Sequence, residues 1–237
     1  MTGLGRILLW IFALSVSVMG TAQLLLGDQE PVAAFLPAQT GTVSSTIGGA
    51  LPERVPGTAL RIQALIQYEG PYWEDGTGEY VSNVAALVLH NTSGIGITSG
   101  QVSLELAGQE YMFEFTYLPA GGRLLIPEKN RLPYVREGIT ACRCIQLEEG
   151  NFGVENKGIL LTPNGMSRII LENQTDQNME NVLLRYKLYL SDEDMFIGGT
   201  TYHTTAESLL AGEKKEITPP HFVWNYSAVI DIQTGAS

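Results

Sequence analysis

The sequence predicts an all-β protein: two tandem immunoglobulin-like antiparallel β-sandwich modules after an N-terminal transmembrane or signal helix and a disordered linker. Three observations support this prediction. Apolar and polar residues alternate along segments of both halves, which is typical of a sheet with one solvated face. Clusters of Gly, Pro and Asn separate short apolar runs, as turns separate strands. Finally, a series of sequence landmarks occurs twice in the same order.

Length and charge limit the classes of function. The chain has 237 residues and a formal net charge of −11. Without its leader and linker, about 180 residues remain, which suits two modules of about 90. The negative charge repels phosphate backbones, and there is no basic stripe, so we expect no nucleic-acid partner. Because 44% of residues are apolar and only 16% are charged, most of the chain should fold.

An uncharged segment lies near the N-terminus. Residues 7–27 carry no charge and are bounded by Arg6 on one side and by Asp28 and Glu30 on the other. About 20 apolar residues span a bilayer as a helix. A basic residue before the segment favours a cytoplasmic N-terminus. We therefore expect residues 1–27 to hold the protein at the outer face of a bacterial cytoplasmic membrane, with the modules outside.

A cleaved signal peptide is the alternative for the same segment. Gly20 and Ala22 form a small-x-small cleavage pattern after the apolar run 7–19. The additional leucines at 24–26 favour the anchor, because a signal peptide does not need them. Both alternatives place the modules outside the cytoplasm, and cleavage near Ala22 would release the protein by secretion.

Residues 28–58 are predicted to be a linker. They contain four prolines, a Thr/Ser cluster and a Gly pair, with neither helical nor alternating periodicity. At about 3.3 Å per residue, this linker could reach at most about 100 Å from the membrane. That length is sufficient to carry the modules into a cell wall.

The internal repeat sets the module boundaries. Its four landmarks pair residues 87–92 with 169–175, 102–106 with 182–186, 120–126 with 211–217, and 141–146 with 228–233. We therefore divide the chain near Gly150, into one module at 59–149 and a second at 150–237. No helix longer than about two turns is expected after Gly27.

Alternation within each module indicates which side chains face the core. In the first module Tyr111, Phe113, Phe115 and Tyr117 alternate with Glu110, Glu114 and Thr116. In the second, Val182, Leu184, Tyr186, Leu188 and Leu190 alternate with Arg185 and Lys187. The polar members of both sets are predicted to lie on the solvated face of the sheet.

Residues 166–217 resemble the bacterial FxLYD-type modules. The resemblance is carried by Tyr-Lys-Leu-Tyr at 186–189, Phe-Ile-Gly-Gly at 196–199 and Leu-Ala-Gly-Glu at 210–213. Tyr186 stands in place of the family's Phe, and Leu190 in place of its Asp. The layout of leader and two modules is also similar to uncharacterised envelope proteins of Clostridia-like bacteria. This resemblance implies a β-sandwich fold and brings no established activity.

The loop at residues 68–80 is the candidate ligand site. Tyr72, Trp73 and Tyr80 could stack on sugar rings, and the loop's carboxylates could accept hydrogen bonds from hydroxyls. This predicts a carbohydrate or peptidoglycan ligand as the alternative function. In the competing interpretation, the aromatic rings cap the end of the sandwich. The carboxylates at 74, 75 and 79 do not have EF-hand spacing, so no metal site is predicted.

No catalytic set is visible. The three histidines are dispersed, and no Ser or Cys lies in a nucleophile motif. Cys142 and Cys144 would share one face of a strand, where a mutual disulfide is strained. We expect buried free thiols, with an intermolecular bridge or a metal pair as alternatives. The sequence thus predicts a non-enzymatic envelope protein without cofactors that contacts an unidentified protein or a cell-wall glycan.

Overall fold

The computed structural model describes residues 53–155 and 158–235, and all of its regular elements are strands. They are β1 (Leu60–Tyr72), β2 (Glu79–Asn91), β3 (Gly96–Leu106), β4 (Gln109–Leu118), β5 (Arg123–Pro127), β6 (Ile139–Gly150), β7 (Ile159–Pro163), β8 (Ile169–Asn173), β9 (Met179–Leu190), β10 (Met195–Leu209), β11 (Lys214–Ile217) and β12 (Ser227–Gly235). No helix occurs within these residues. The all-β prediction is confirmed for this part of the chain.

The strands form three sheets. The largest has six strands in the order β1-β2-β5-β10-β9-β12, and the two smaller sheets have the orders β4-β3-β6 and β11-β8-β7. Every strand pair is antiparallel except β5 with β10, which is parallel. The six-stranded sheet therefore takes three strands from each half of the chain, and the parallel pair joins them.

The two halves pair their strands in the same way. The first half contains β1-β2-β5 and β4-β3-β6, and the second contains β7-β8-β11 and β10-β9-β12. The paired sequence landmarks fall on strands of equivalent position, namely β2 and β8, β3 and β9, β5 and β11, and β6 and β12. The sequence repeat thus corresponds to a repeat of strand pairing. β6 ends at Gly150.

A buried asparagine ends the second strand of each half. Asn91 Nδ2 donates to the carbonyl oxygens of Ile95 and Pro119 at 2.8 and 3.1 Å, and its Oδ1 accepts from the backbone and hydroxyl of Ser93. Asn173 makes the corresponding contacts in the second half. Each amide thus satisfies backbone groups of two loops at once, which explains why both apolar runs end at Asn.

Each half has its own apolar core. The predicted inward residues Tyr111, Phe113 and Phe115 of β4 are buried in the first core, and Val182, Leu184 and Tyr186 of β9 are buried in the second. The alternation of apolar residues indicated the core-facing side of these residues correctly, but it breaks at Tyr117, which has a φ of 48° and is only partly buried while the next residue, Leu118, is fully buried.

The hairpin of β9 and β10 extends beyond its equivalent in the first half. β3 and β4 are joined by a tight turn at residues 107–108, whereas β9 continues to Leu190. At the start of β10, Phe196 and Ile197 pair with Leu124 and Leu125 of β5. The tip of this hairpin therefore adds to the sheet of the other half.

Four residues of β10 then bulge out of the sheet. Ile197 pairs with Leu188 and the next pair joins Tyr202 to Tyr186, so residues 198–201 lie opposite Lys187 alone. The bulge lets the strand leave the β5 edge and return to its own half. This segment, residues 198–201, is called the β10 bulge below.

Apolar residues from both halves pack on the face of the joined sheet opposite the first core. This joint cluster contains Ile66, Trp73, Ala86, Val88, Leu125, Met195 and Ile197, with Leu188 and Leu190 packed against it. Since residues of both halves contribute, burial of this cluster stabilises the parallel contact between β5 and β10.

The predicted anchor and most of the predicted linker lie outside the described residues. No helix within the described part is long and apolar enough to cross a membrane. The last linker residues, 53–58, lie against the start of β1. Val55 is fully buried in the first core, and its N–H donates to the carbonyl of Leu60 at 2.9 Å.

Candidate binding cleft at the joint

The β10 bulge lies directly against the edge of β4. Gly198 has a φ of 78°, a conformation that glycine adopts without strain. A Cβ added to Gly199 would lie 1.9 Å from the carbonyl oxygen of Glu114, so no other residue fits without a shift of one backbone. The two glycines thus allow the second half to approach the backbone of the first.

Lys187 fills the space inside the bulge. It is fully buried, and its Nζ donates to the carbonyl oxygens of Thr116, Gly199 and Thr200 at 3.1, 2.9 and 2.9 Å and to Thr201 Oγ1 at 3.2 Å. An ammonium has three protons for these oxygens, whereas a neutral amine has two and directs a lone pair at an acceptor. Burial lowers the pKa of Lys187, and the carboxylate of Glu74 opposes that shift.

Glu74 approaches the same bulge from the loop after β1. Its Oε1 accepts the backbone N–H of Gly199 at 2.8 Å, and its Oε2 lies 3.5 Å from Thr200 Oγ1. Burial raises the pKa of Glu74, while the Gly199 hydrogen bond and the charge of Lys187 lower it. A lysine of the second half and a glutamate of the first half therefore both bond to the β10 bulge.

A cleft of about 520 Å³ opens beside this pair. Its wall from the first half includes Tyr72, Glu74, Asp75, Glu114, Thr116, Pro127 and Lys129, and residues 199–201 form the wall from the second half. The volume lies within the range of about 300–1,000 Å³ that is common for small-ligand sites.

Cations neutralise the carboxylates at the rim. Lys129 Nζ lies 2.6 Å from Glu114 Oε1. Arg131 pairs with Asp75 and lies 2.8 Å from Glu79 Oε2. Hydrogen bonds from Thr77, followed by Arg131, hold the pKa of Asp75 below its usual value. The cleft therefore has mixed polarity, with a cation close to each carboxylate.

The structure separates the three aromatic residues predicted to bind a ligand. Tyr72 is 2% exposed, and its hydroxyl donates to the carbonyl oxygen of Lys129 at 2.7 Å. Trp73 is 5% exposed in the joint cluster, whereas Tyr80 is 56% exposed. In this conformation the rings of Tyr72 and Trp73 are covered and cannot form a stacking platform with Tyr80. Ligand binding by the loop stays a prediction.

Two side chains of β9 differ from the expected pattern. Alternation predicted Arg185 and Lys187 on a solvated face, but Lys187 is fully buried and the Arg185 side chain is only 16% exposed. Arg185 forms an ion pair with Asp231, whose side chain is 1% exposed, and lies 4.7 Å above the Tyr117 ring. The prediction was wrong for these residues because the other half of the protein covers that face of β9.

The cysteines are free thiols on β6. Cys142 pairs in register with Leu104, and Cys144 with Val102. Both pack, partly buried, against the first core. Burial raises the pKa of Cys142 to about 11. The described residues contain no group of three or more His, Cys, Asp or Glu side chains that could hold a metal ion.

Sequence reasoning missed Glu74 and Lys187 as partners. The sequence does contain one signal for the joint. Gly198 and Gly199 are adjacent glycines within an otherwise strand-like segment, which is now β10. A glycine pair inside a strand indicates a bulge or a close backbone approach. A lysine opposite such a bulge can donate to its free carbonyl oxygens.

The chain matches no family model, no curated protein and no solved structure. The resemblance of residues 166–217 to FxLYD-type modules therefore stays a prediction.

Proposed function

We propose that this is a non-enzymatic extracytoplasmic envelope protein that presents two β-sandwich interaction modules as one unit of fixed geometry. The supporting observation is the six-stranded sheet shared by both halves. A shared sheet resists bending at the joint more than a flexible connection does, since bending must break backbone hydrogen bonds and expose the joint cluster.

Further contacts hold the halves together. Lys187 of the second half donates to the carbonyl of Thr116 in the first, and Glu74 of the first accepts from Gly199 of the second. The start of the connection between the halves is also held, because Gly153 N–H donates to Asp231 Oδ1 at 3.0 Å. Partner surfaces on the two halves would therefore keep a constant separation.

The membrane location in this proposal rests on the sequence. The uncharged segment at 7–27 has the length of a spanning helix and is preceded by Arg6. The following 28–52 region would separate the folded part from the membrane. In this arrangement the acidic modules would meet proteins or glycans of the envelope.

In-cell cross-linking of the full-length protein tests this function. The wild-type protein and Gly94→Ala should capture envelope proteins or cell-wall material, because a Cβ at Gly94 meets nothing within 4 Å. Gly199→Ala should capture less, since it disturbs the joint. Capture of cytoplasmic proteins alone, or equal capture by both variants, would contradict the proposal.

A further inference from the structure

We infer that the cleft at the joint binds a neutral, hydroxyl-rich small molecule, namely a saccharide. This inference is separate from the proposed function, because the two modules could be displayed without a ligand in the cleft. It depends on which polar side chains line the cleft and on which of its hydrogen-bonding groups already have a partner within the protein.

Charge balance favours a neutral ligand. Glu74, Asp75 and Glu114 bring three carboxylates to the cleft. Three cations face them, because Lys187 acts on Glu74, Lys129 pairs with Glu114, and Arg131 is shared between Asp75 and the neighbouring Glu79. A cationic ligand would have to compete with these partners, and an anionic ligand would meet the carboxylates at close range.

The backbone groups at the cleft already have hydrogen-bond partners, which argues against a peptide strand as the ligand. Peptides that add to a sheet edge need free N–H and C=O groups. Here Lys187 occupies the carbonyl oxygens of Thr116, Gly199 and Thr200, and Glu74 occupies the N–H of Gly199. The bulge and the β4 edge therefore offer side chains to a ligand in place of backbone.

The side chains that can still form hydrogen bonds in the cleft suit a ligand with hydroxyl groups. Glu74 Oε2 lies 3.5 Å from Thr200 Oγ1, which is long for a hydrogen bond, so this carboxylate oxygen can accept a stronger one. The Thr200 hydroxyl can donate or accept, and Lys129 can donate. The cleft thus offers both donors and acceptors, as a sugar hydroxyl requires, because it donates one hydrogen bond and accepts others.

Calorimetric titration of the full-length protein with maltotriose, cellotriose and a trimer of N-acetylglucosamine tests this inference. Glucosamine and glucuronate serve as the cationic and anionic probes. At least one neutral sugar should bind with a Kd in the millimolar range or tighter, and more tightly than either charged sugar. Tyr80→Ala should bind equally well, because Tyr80 does not line the cleft.

Two cleft variants that leave Lys187 in place provide the decisive comparison. Glu114→Gln should weaken binding about tenfold, and Thr200→Val about threefold or more, provided each keeps the wild-type melting temperature. No binding of any neutral sugar up to about 10 mM would overturn the inference. So would tighter binding of a charged sugar, or binding lost in Tyr80→Ala and retained in both cleft variants.

Discussion

At the residue scale, Lys187 and Glu74 hold the joint through hydrogen bonds that cross it, Lys187 from a fully buried position and Glu74 from the wall of the cleft. Removing a charge from water is costly, and the cost is recovered only when hydrogen bonds satisfy the group. Lys187 has four oxygen acceptors, and Glu74 has the Gly199 N–H. Loss of Lys187 removes the opposite charge that acts on Glu74, and loss of Glu74 removes the opposite charge that acts on Lys187.

We expect Lys187→Met to lower the free energy of unfolding by about 3–5 kcal/mol, because it leaves buried carbonyl oxygens without a donor and removes the positive charge that acts on Glu74. Glu74→Gln should also destabilise. The double variant should be clearly more stable than the sum of the two single changes predicts, since it removes both charges together. Urea unfolding of all four proteins measures this coupling, and additivity within about 0.5 kcal/mol would show that the two groups act independently.

Sequence patterns predict single residues well where local chemistry decides the structure. Asn91 and Asn173 follow apolar runs in the sequence, and an Asn there indicates a turn because its side chain bonds to the backbone two residues ahead. The alternating pattern predicts that Lys187 faces solvent. The pattern describes a single strand, however, and carries no information about which other part of the chain covers the polar face of that strand. Trp73 and Glu74 are adjacent in the loop after β1, yet each also has neighbours more than a hundred residues away in the second half.

At the element scale, the β10 bulge converts an ordinary hairpin into a joint between two halves. Phe196 and Ile197 pair with β5 as well as with β9, and from Tyr202 the strand pairs with β9 alone. Glycine at 198 and 199 makes this step possible. Strand alternation cannot locate such a bulge, because four looped residues follow no period.

Gly199→Ala tests the close approach of the bulge to β4. The new Cβ would meet the Glu114 carbonyl oxygen at 1.9 Å, so one backbone must move. We expect a loss of about 1–3 kcal/mol in the free energy of unfolding. Gly94→Ala is the matched control, and it should change stability by no more than about 0.5 kcal/mol. Equal stabilities of the two variants would mean that the bulge does not lie where the structure places it.

At the scale of the whole molecule, the two repeats form one connected folded unit. They share a sheet, the joint cluster and the buried charges. The repeat itself was visible in the sequence because each half conserves its own turns and core positions. The joint was not visible, since it depends on side chains that are far apart along the chain.

The start of the folded unit is a second test at this scale. Val55 lies within the predicted linker but is fully buried in the first core. A fragment of residues 53–237 should therefore be more stable to urea than a fragment of residues 59–237, by about 1.5–3 kcal/mol for the lost apolar burial. Circular dichroism of both should show sheet and little helix. Equal stability would indicate that Val55 contributes nothing to the core in solution.

Protease treatment of intact cells, followed by mass measurement of the released fragments, tests the central claim most directly. The claim combines display outside the cytoplasm with a joint that fixes the two halves. We predict cleavage between residues 28 and 52 and release of one fragment that contains both halves, because the connection at 151–155 is held by hydrogen bonds to β12. Separate half-size fragments would contradict the fixed joint, and a chain protected in intact cells but cleaved after lysis would contradict display outside the cytoplasm.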